Sequence, residues 1–382
     1  MEKHGGHNMK FEIPKKDLLS VVGKLVGITN EKTVHPILNG VLIDIADEQQ
    51  VYLTATDLEI SLRAKVEAQV SVSGGVVVPA RKFLDVVKML PGKTVSCRLV
   101  DNQLKVASGK TQYKIATWPA EDFPNVSIEL PDSMIDVEVE SLKRILSRTV
   151  CSVASDKDCF DNVLAGVYLH SPGIDGLRVV GCDGHRLSYD QIDDFPALQL
   201  LGEQEGIIVP KKGIRETLRL LENADQVSLG LLENRLCIQV PNALLSMQLL
   251  EGNYPQYEHV IPDHTTSIMV DVERQVLLGA LRRMAVVTDQ VHKSIRMTVC
   301  SDLLCLEAGT ENPMTGTARE EIPASYTGEE FKMTYNINYV METLQNMQTD
   351  NVRIHWVDKN HGGLFLEPDN HNYLTMIMPM NE

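Results

Sequence analysis

Apolar and polar residues alternate along this chain with a period that switches at regular intervals. Over 15–26, Leu18, Val22, Leu25 and Val26 recur at helical spacing while Lys15, Lys16 and Lys24 lie off that stripe. The same reading predicts helices over 81–90, 141–150, 211–221, 273–285 and 336–347. Between them the period drops to two, and pairs of extended runs flank a short polar turn, as in VSCRLVDNQLKVAS, VSLGLLENRLCIQV and VRIHWVDKNHGGLFLE.

These elements return in a fixed order. Asp57 in VYLTATDLE, Asp183 in LRVVGCDGH and Thr310 in LCLEAGTEN are 126 and 127 residues apart, and each closes an alternating strand. A strand running into a helix follows each, at 76–91, 207–222 and 333–348. Two copies then finish alike, with WPAEDFPNV and LEGNYPQYEHV, and Pro- and polar-rich stretches near 127–135 and 261–267 mark the boundaries. The pattern predicts an α+β chain of three similar domains, 9–130, 131–263 and 264–382. Residues 1–8 read as an N-terminal extension, a cloning remnant or the product of an upstream start codon.

Composition narrows the class. Hydrophobic residues make up 43% and charged residues 23%, the balance of a folded chain. No apolar run approaches the ~20 residues that span a bilayer, and no secretory signal opens the sequence. Seven scattered cysteines without a C-x-x-C pair argue against a zinc site or a disulfide framework and fit a reducing cytoplasm. The net charge of −16 speaks against nucleic acid, but its distribution along the chain argues the other way. The six predicted helices hold 16 Lys and Arg against 5 Asp and Glu, a net +11, which leaves −27 for the remainder. Helices gathered on one surface would track phosphates while the acidic remainder repels other nucleic acid. No base-reading motif is present, so binding would follow shape and charge.

Candidate chemistry is sparse. In GCDGHRL, Asp183, His185 and Arg186 share a turn and could in principle move protons. Groups two apart on a turn diverge, however, and the histidine belongs to one repeat only. A turn whose aspartate caps local amides accounts for both Asp57 and Asp183. An enzyme built on Asp183 and His185, or an unrelated duplicated α+β scaffold, is the alternative reading; an enzyme has no reason to make five helices basic. No metal, nucleotide or cofactor motif occurs. The C-terminal TMIMPMNE supplies pliable methionines suited to a docking surface.

VPARKF, TDLE, WPAEDFPN, GCDGHRL, VPKKGI, YPQYEHVIP, YNINYV and the terminal MPM run in order between Met9 and Glu382. Together they resemble the bacterial DNA polymerase III beta subunit, the replicative sliding clamp. The resemblance implies three DNA-clamp domains, each with two helices on an inner face and sheets outside, and a head-to-tail homodimeric ring around duplex DNA. Twelve helices at spacings of ~8–10 Å would give a bore of roughly 35 Å, wide enough for a duplex and its water.

It also implies a non-catalytic processivity subunit without cofactors, at work in the cytoplasm on the nucleoid. Its partners would be a clamp loader, the replicative polymerase alpha subunit, repair polymerases, mismatch-repair proteins and ligase. Carried over by position, a partner-peptide cleft comprises Leu164, Cys182, Gly184, His185, Arg186, Leu187, Pro255, His259, Val260, Met376, Met378, Pro379 and Met380. DNA contacts map to Lys32, Arg81, Lys82, Lys157, Lys211 and Lys212, and the dimer contact to Tyr113, Ile115, Val286 and Val287. The family commonly has Thr at Cys182, Arg at His259 and Arg-Leu at Asn381-Glu382, so the rim of this cleft is less basic.

Overall fold

The computed structural model describes residues 9–29, 33–45, 49–126, 128–154, 162–173, 176–263, 268–288, 293–309 and 316–380. Residues 1–8, Lys32, Lys157, Asn381 and Glu382, all singled out above, lie outside them. Among the described residues there are seven α-helices: α1 (Lys15–Ile28), α2 (Ala80–Met89), α3 (Val139–Val150), α4 (Ala197–Leu201), α5 (Lys211–Leu221), α6 (Arg274–Met284) and α7 (Ile337–Asn346). Six coincide with the predicted ones to within a few residues. The five-residue α4 is too short to carry a period.

Local chemistry sets the helix starts. Pro14, Pro79 and Pro210 end their strands, where a missing N–H breaks the ladder, and α1, α2 and α5 begin at the next residue. In the third repeat Asn336 takes that place, and its side chain accepts from the Asn338 amide at 3.0 Å. α1 buries Leu18, Val22, Leu25 and Ile28; Val26, placed on the stripe from sequence, is only half-buried.

The chain forms two compact units. One comprises Met1–Val139 with Lys212–Leu249. Its described part holds a five-stranded sheet with Gln69–Val72 and Thr111–Ala116 as outer strands. It also holds a nine-stranded sheet in which Ile60–Glu67 pairs antiparallel with Ala243–Gln248, Leu62 opposite Leu245 and Ser61 opposite Ser246. Phe11, Ile13, Phe83, Val87 and the α1 stripe fill one of its cores.

The other unit comprises Glu140–Lys211 with Leu250–Glu382. Here an eight-stranded sheet pairs Arg186–Ile192 with Asn370–Ile377, Leu187 opposite Met376 and Ser188 opposite Thr375. A four-stranded sheet has Thr317–Pro323 on its edge. One of its cores runs from Leu277 and Leu281 of α6 through Val340 and Leu344 of α7 to Tyr335 and Trp356. The division falls inside the middle repeat, because each half of that repeat shares a continuous sheet with its neighbour. Backbone ladders cross the boundaries read from sequence, which periodicity within a repeat cannot reveal.

Candidate functional site

The GCDGHRL turn joins Leu177–Cys182 to Arg186–Ile192. Asp183 Oδ1 accepts the amides of His185 and Arg186, both at 2.9 Å, and Oδ2 accepts Arg186 Nε at 3.1 Å. Asp57 does the same in the first repeat, accepting the amides of Glu59 and Ile60 at 3.1 and 2.7 Å. The aspartate is therefore a turn cap in both.

Arg186 is buried. Its guanidinium donates to Asp183, to Glu342 at 2.6 Å and to the Cys151 carbonyl, and lies 4.1 Å over the Tyr339 ring. Its role is to lock the turn against α7. His185 and Gly184 stay exposed at the tip.

Behind the turn the C-terminal strand continues as a rim. Met376 is buried opposite Leu187, the Met378 amide donates to the His185 carbonyl at 2.8 Å, and the Met380 amide to the Thr334 carbonyl at 2.8 Å. Gly362 makes this packing possible: a Cβ there would stand 2.5 Å from Met376 Cγ and 3.3 Å from Met378 Sδ. Leu187 and Met376 join Val180, Tyr257, Leu364 and Leu374 in one apolar cluster, with Cys182 half-buried against it. Met378 is exposed, Pro379 and Met380 half-buried, and Pro255, His259 and Val260 exposed, Val260 at 56%. Leu164 is half-buried on a short turn before the strand Gly166–His170. The structure thus gathers Cys182, Leu187 and Met376 onto one floor.

Aromatic residues that the sequence reading passed over belong to the same floor. Tyr168 stacks on His170 and on Tyr254, both at 4.8 Å between ring centroids, and His170 Nε2 lies 2.8 Å from the Tyr257 hydroxyl. Burial pushes the His170 imidazole below its ordinary pKa and the Tyr254 hydroxyl well above its own. Tyr254 and Tyr257 stand in the YPQY segment already noted, and that repeat of tyrosines three apart was the available signal.

The expected DNA contacts divide. Arg81 and Lys82 are exposed on α2. Lys211 donates to the Val153 and Ala154 carbonyls, and Lys212 to Asp57 and, at 2.9 Å, to the Ile28 carbonyl. Those two ammonium groups tie loops and helix ends together within the fold. Other helix cations do likewise. Lys15 donates to the carbonyls of Lys88 in the last turn of α2 and of Leu90 just beyond it, and Arg274 donates to Leu344 at the end of α7 and to the Thr349 carbonyl beyond it. Lys16, Lys88, Arg215 and Arg282 remain exposed. Of the expected dimer contacts, Tyr113 is 36% and Val286 82% exposed, Val287 is half-buried against its own core, and Ile115 is buried, a core residue of its own sheet.

Three family models match in succession: the N-terminal domain of the DNA polymerase III beta subunit over residues 9–127, its central domain over 136–256, and its C-terminal domain over 258–381. The chain belongs to the DNA polymerase III beta subunit family. The beta sliding clamp of Pseudomonas aeruginosa is 31% identical over 376 residues, covering 97% of this chain and all of that protein. The beta sliding clamp of Escherichia coli is 28% identical with the same coverage. Among solved structures, a DNA polymerase sliding clamp from Pseudomonas aeruginosa superimposes with a TM-score of 0.85 at 30% identity over 98% of this chain. A second sliding clamp structure from that organism, bound to griselimycin, gives the same values. Within this family the three repeats are three DNA-clamp domains of mixed helix and sheet.

Proposed function

We propose that the chain is a sliding clamp: two copies close head to tail around duplex DNA and tether the replicative polymerase to its template. The succession of three clamp-domain matches across the described chain carries this reading. The domains are taken as 9–130, 131–263 and 264–382. The exposed cations of α1, α2, α5 and α6 would face the phosphates, and retention would come from topology rather than from tight contacts. The apolar floor of Leu187, Met376 and Tyr257, rimmed by Val260, Met378 and Pro379, is where partner peptides with apolar anchors would bury their side chains. Its users would include the polymerase alpha subunit, the clamp loader, repair polymerases, mismatch-repair proteins and ligase, in the cytoplasm at the nucleoid. The enzyme alternative is not favoured, since Asp183 is occupied as a turn cap.

The test is retention on DNA. Protein loaded on a nicked circle should stay bound, and should be lost when a restriction enzyme linearises the circle. Persistence on linear DNA with free ends would sink the topological reading.

A further inference from the structure

The second and third repeats meet over a filled ionic junction. Arg148, the tenth residue of α3, donates to the carbonyl of Asn346, the tenth residue of α7, at 3.2 Å. It also donates to Asp190 at 3.2 Å and to Glu367 at 2.7 Å, and lies 4.4 Å over the Tyr373 ring. Arg144, one turn earlier, donates to Asp190 as well. Arg148, Asp190, Glu367 and Tyr373 are all buried, so two carboxylates and a ring enclose the guanidinium.

The first and second repeats build the same junction from other side chains. Lys24, the tenth residue of α1, donates to the carbonyl of Leu220, the tenth residue of α5, at 3.4 Å. Ser20 stands in the place of Arg144, each the sixth residue of its helix. Ala64 faces Ala243 as Asp190 faces Tyr373, Ala64 and Asp190 each standing seven residues past the capping aspartate of their repeat. Val240 takes the place of Glu367, each following the residue opposite Leu244 or Leu374. Ser20, Lys24, Ala64, Val240 and Ala243 all line one cavity of about 560 Å³. The space is open because two carboxylates and a phenol ring have become two alanines and a valine.

The cavity has an apolar floor and one half-buried cation. Leu62, Val66, Leu220 and Val240 are buried. The Lys24 ammonium has three donors, and among the described residues it meets no carboxylate at hydrogen-bond distance. Burial lowers its pKa, while Glu222, farther off, acts in the opposite sense. Asp17, Glu67 and Asp225 are exposed at the rim, where Lys65 offsets one of the three charges. A second negative charge on a ligand would therefore be repelled, which argues against phosphates and nucleotides.

We propose that this cavity binds a small aromatic monocarboxylate, whose carboxylate accepts from Lys24 as Asp190 and Glu367 accept from Arg148. Its ring takes the place that Tyr373 fills in the other junction, against Leu62, Val66 and Val240. The volume is in the range of small-molecule sites. The bound molecule would tie α1 to the end of α5 as Arg148 ties α3 to α7. This site is independent of the sliding-clamp reading, and its test uses no DNA.

Calorimetric titration of the full-length protein with 4-hydroxyphenylacetate at neutral pH tests it. One saturable event per chain is expected. The amide of the same compound keeps the ring and loses the charge, and should bind about tenfold more weakly or worse. Lys24→Gln should weaken the acid by a similar factor. Ala243→Tyr, which returns the ring of the other junction, should abolish binding, with thermal melting as the check that each variant is folded. The comparison of acid with amide uses the wild-type protein and so decides the matter even if a variant fails to fold. Absence of saturable binding, equal affinity for acid and amide, or undiminished binding by either folded variant would overturn the site. Displacement of the acid by inorganic phosphate would overturn the proposal in favour of a simple anion site.

Discussion

Leu58 and Gly184 occupy the same position of the same aspartate-capped turn, with φ of 82° and 83°. Glycine adopts that conformation freely, while a leucine there sets its Cβ against the backbone. Leu58 is 51% exposed, so its side chain contributes little packing in return. Leu58→Gly should therefore stabilise the protein by about 0.5–1 kcal/mol, strain relief outweighing the added freedom of the unfolded chain. The midpoint of urea unfolding reads this directly; a lower midpoint would mean that Leu58 is held by contacts instead. A second prediction at this scale concerns the rim. Removing Met378 to Glu382 takes away Met378, Pro379 and Met380, each apolar anchor contact being worth ~1.5–3 kcal/mol when fully buried. Affinity for a labelled partner peptide should fall ten- to a hundredfold. Fluorescence anisotropy measures it, and unchanged binding would move the peptide site elsewhere.

At the scale of elements, Val286 and Val287 separate two effects that sequence alone merges. Val286 follows α6 with 82% of its surface exposed, whereas Val287 is half-buried against the α6–α7 core. Val286→Asp should dissociate the dimer in sedimentation while leaving thermal melting alone. Val287→Asp should lower the melting temperature as well, because an unpaired carboxylate at a core margin costs ~1–3 kcal/mol. An intact Val286→Asp dimer would place the contact away from α6. The helices themselves were legible because each buries one stripe over at least ten residues, and the turn role of Asp57 and Asp183 because Asx turns are local. The uses of the basic residues were not legible. Lys15 and Arg274 point along the molecule to helix ends about 75 residues away in sequence, and Lys212 to Asp57 155 residues away. Charge counting cannot tell a cation that caps a carbonyl from one that waits for phosphate. The aromatic floor of the cleft escaped for a like reason, since Tyr168 and Tyr254 meet only through the fold.

For the molecule as a whole, the cations left exposed on the helices predict weak, sequence-independent affinity for linear duplex that falls steeply with salt. Titration at two salt concentrations checks this, and a salt-independent or sequence-selective affinity would point to base contacts instead. The shared sheets have a consequence of a different kind. Ile60, Leu62, Ala64 and Val66 are buried, and the strand that carries them is completed by Ala243–Gln248, far along the chain. A fragment cut at the end of the first repeat would carry an unsatisfied strand edge, which invites aggregation. Such a fragment would need copies of itself, or another strand, to cover that edge.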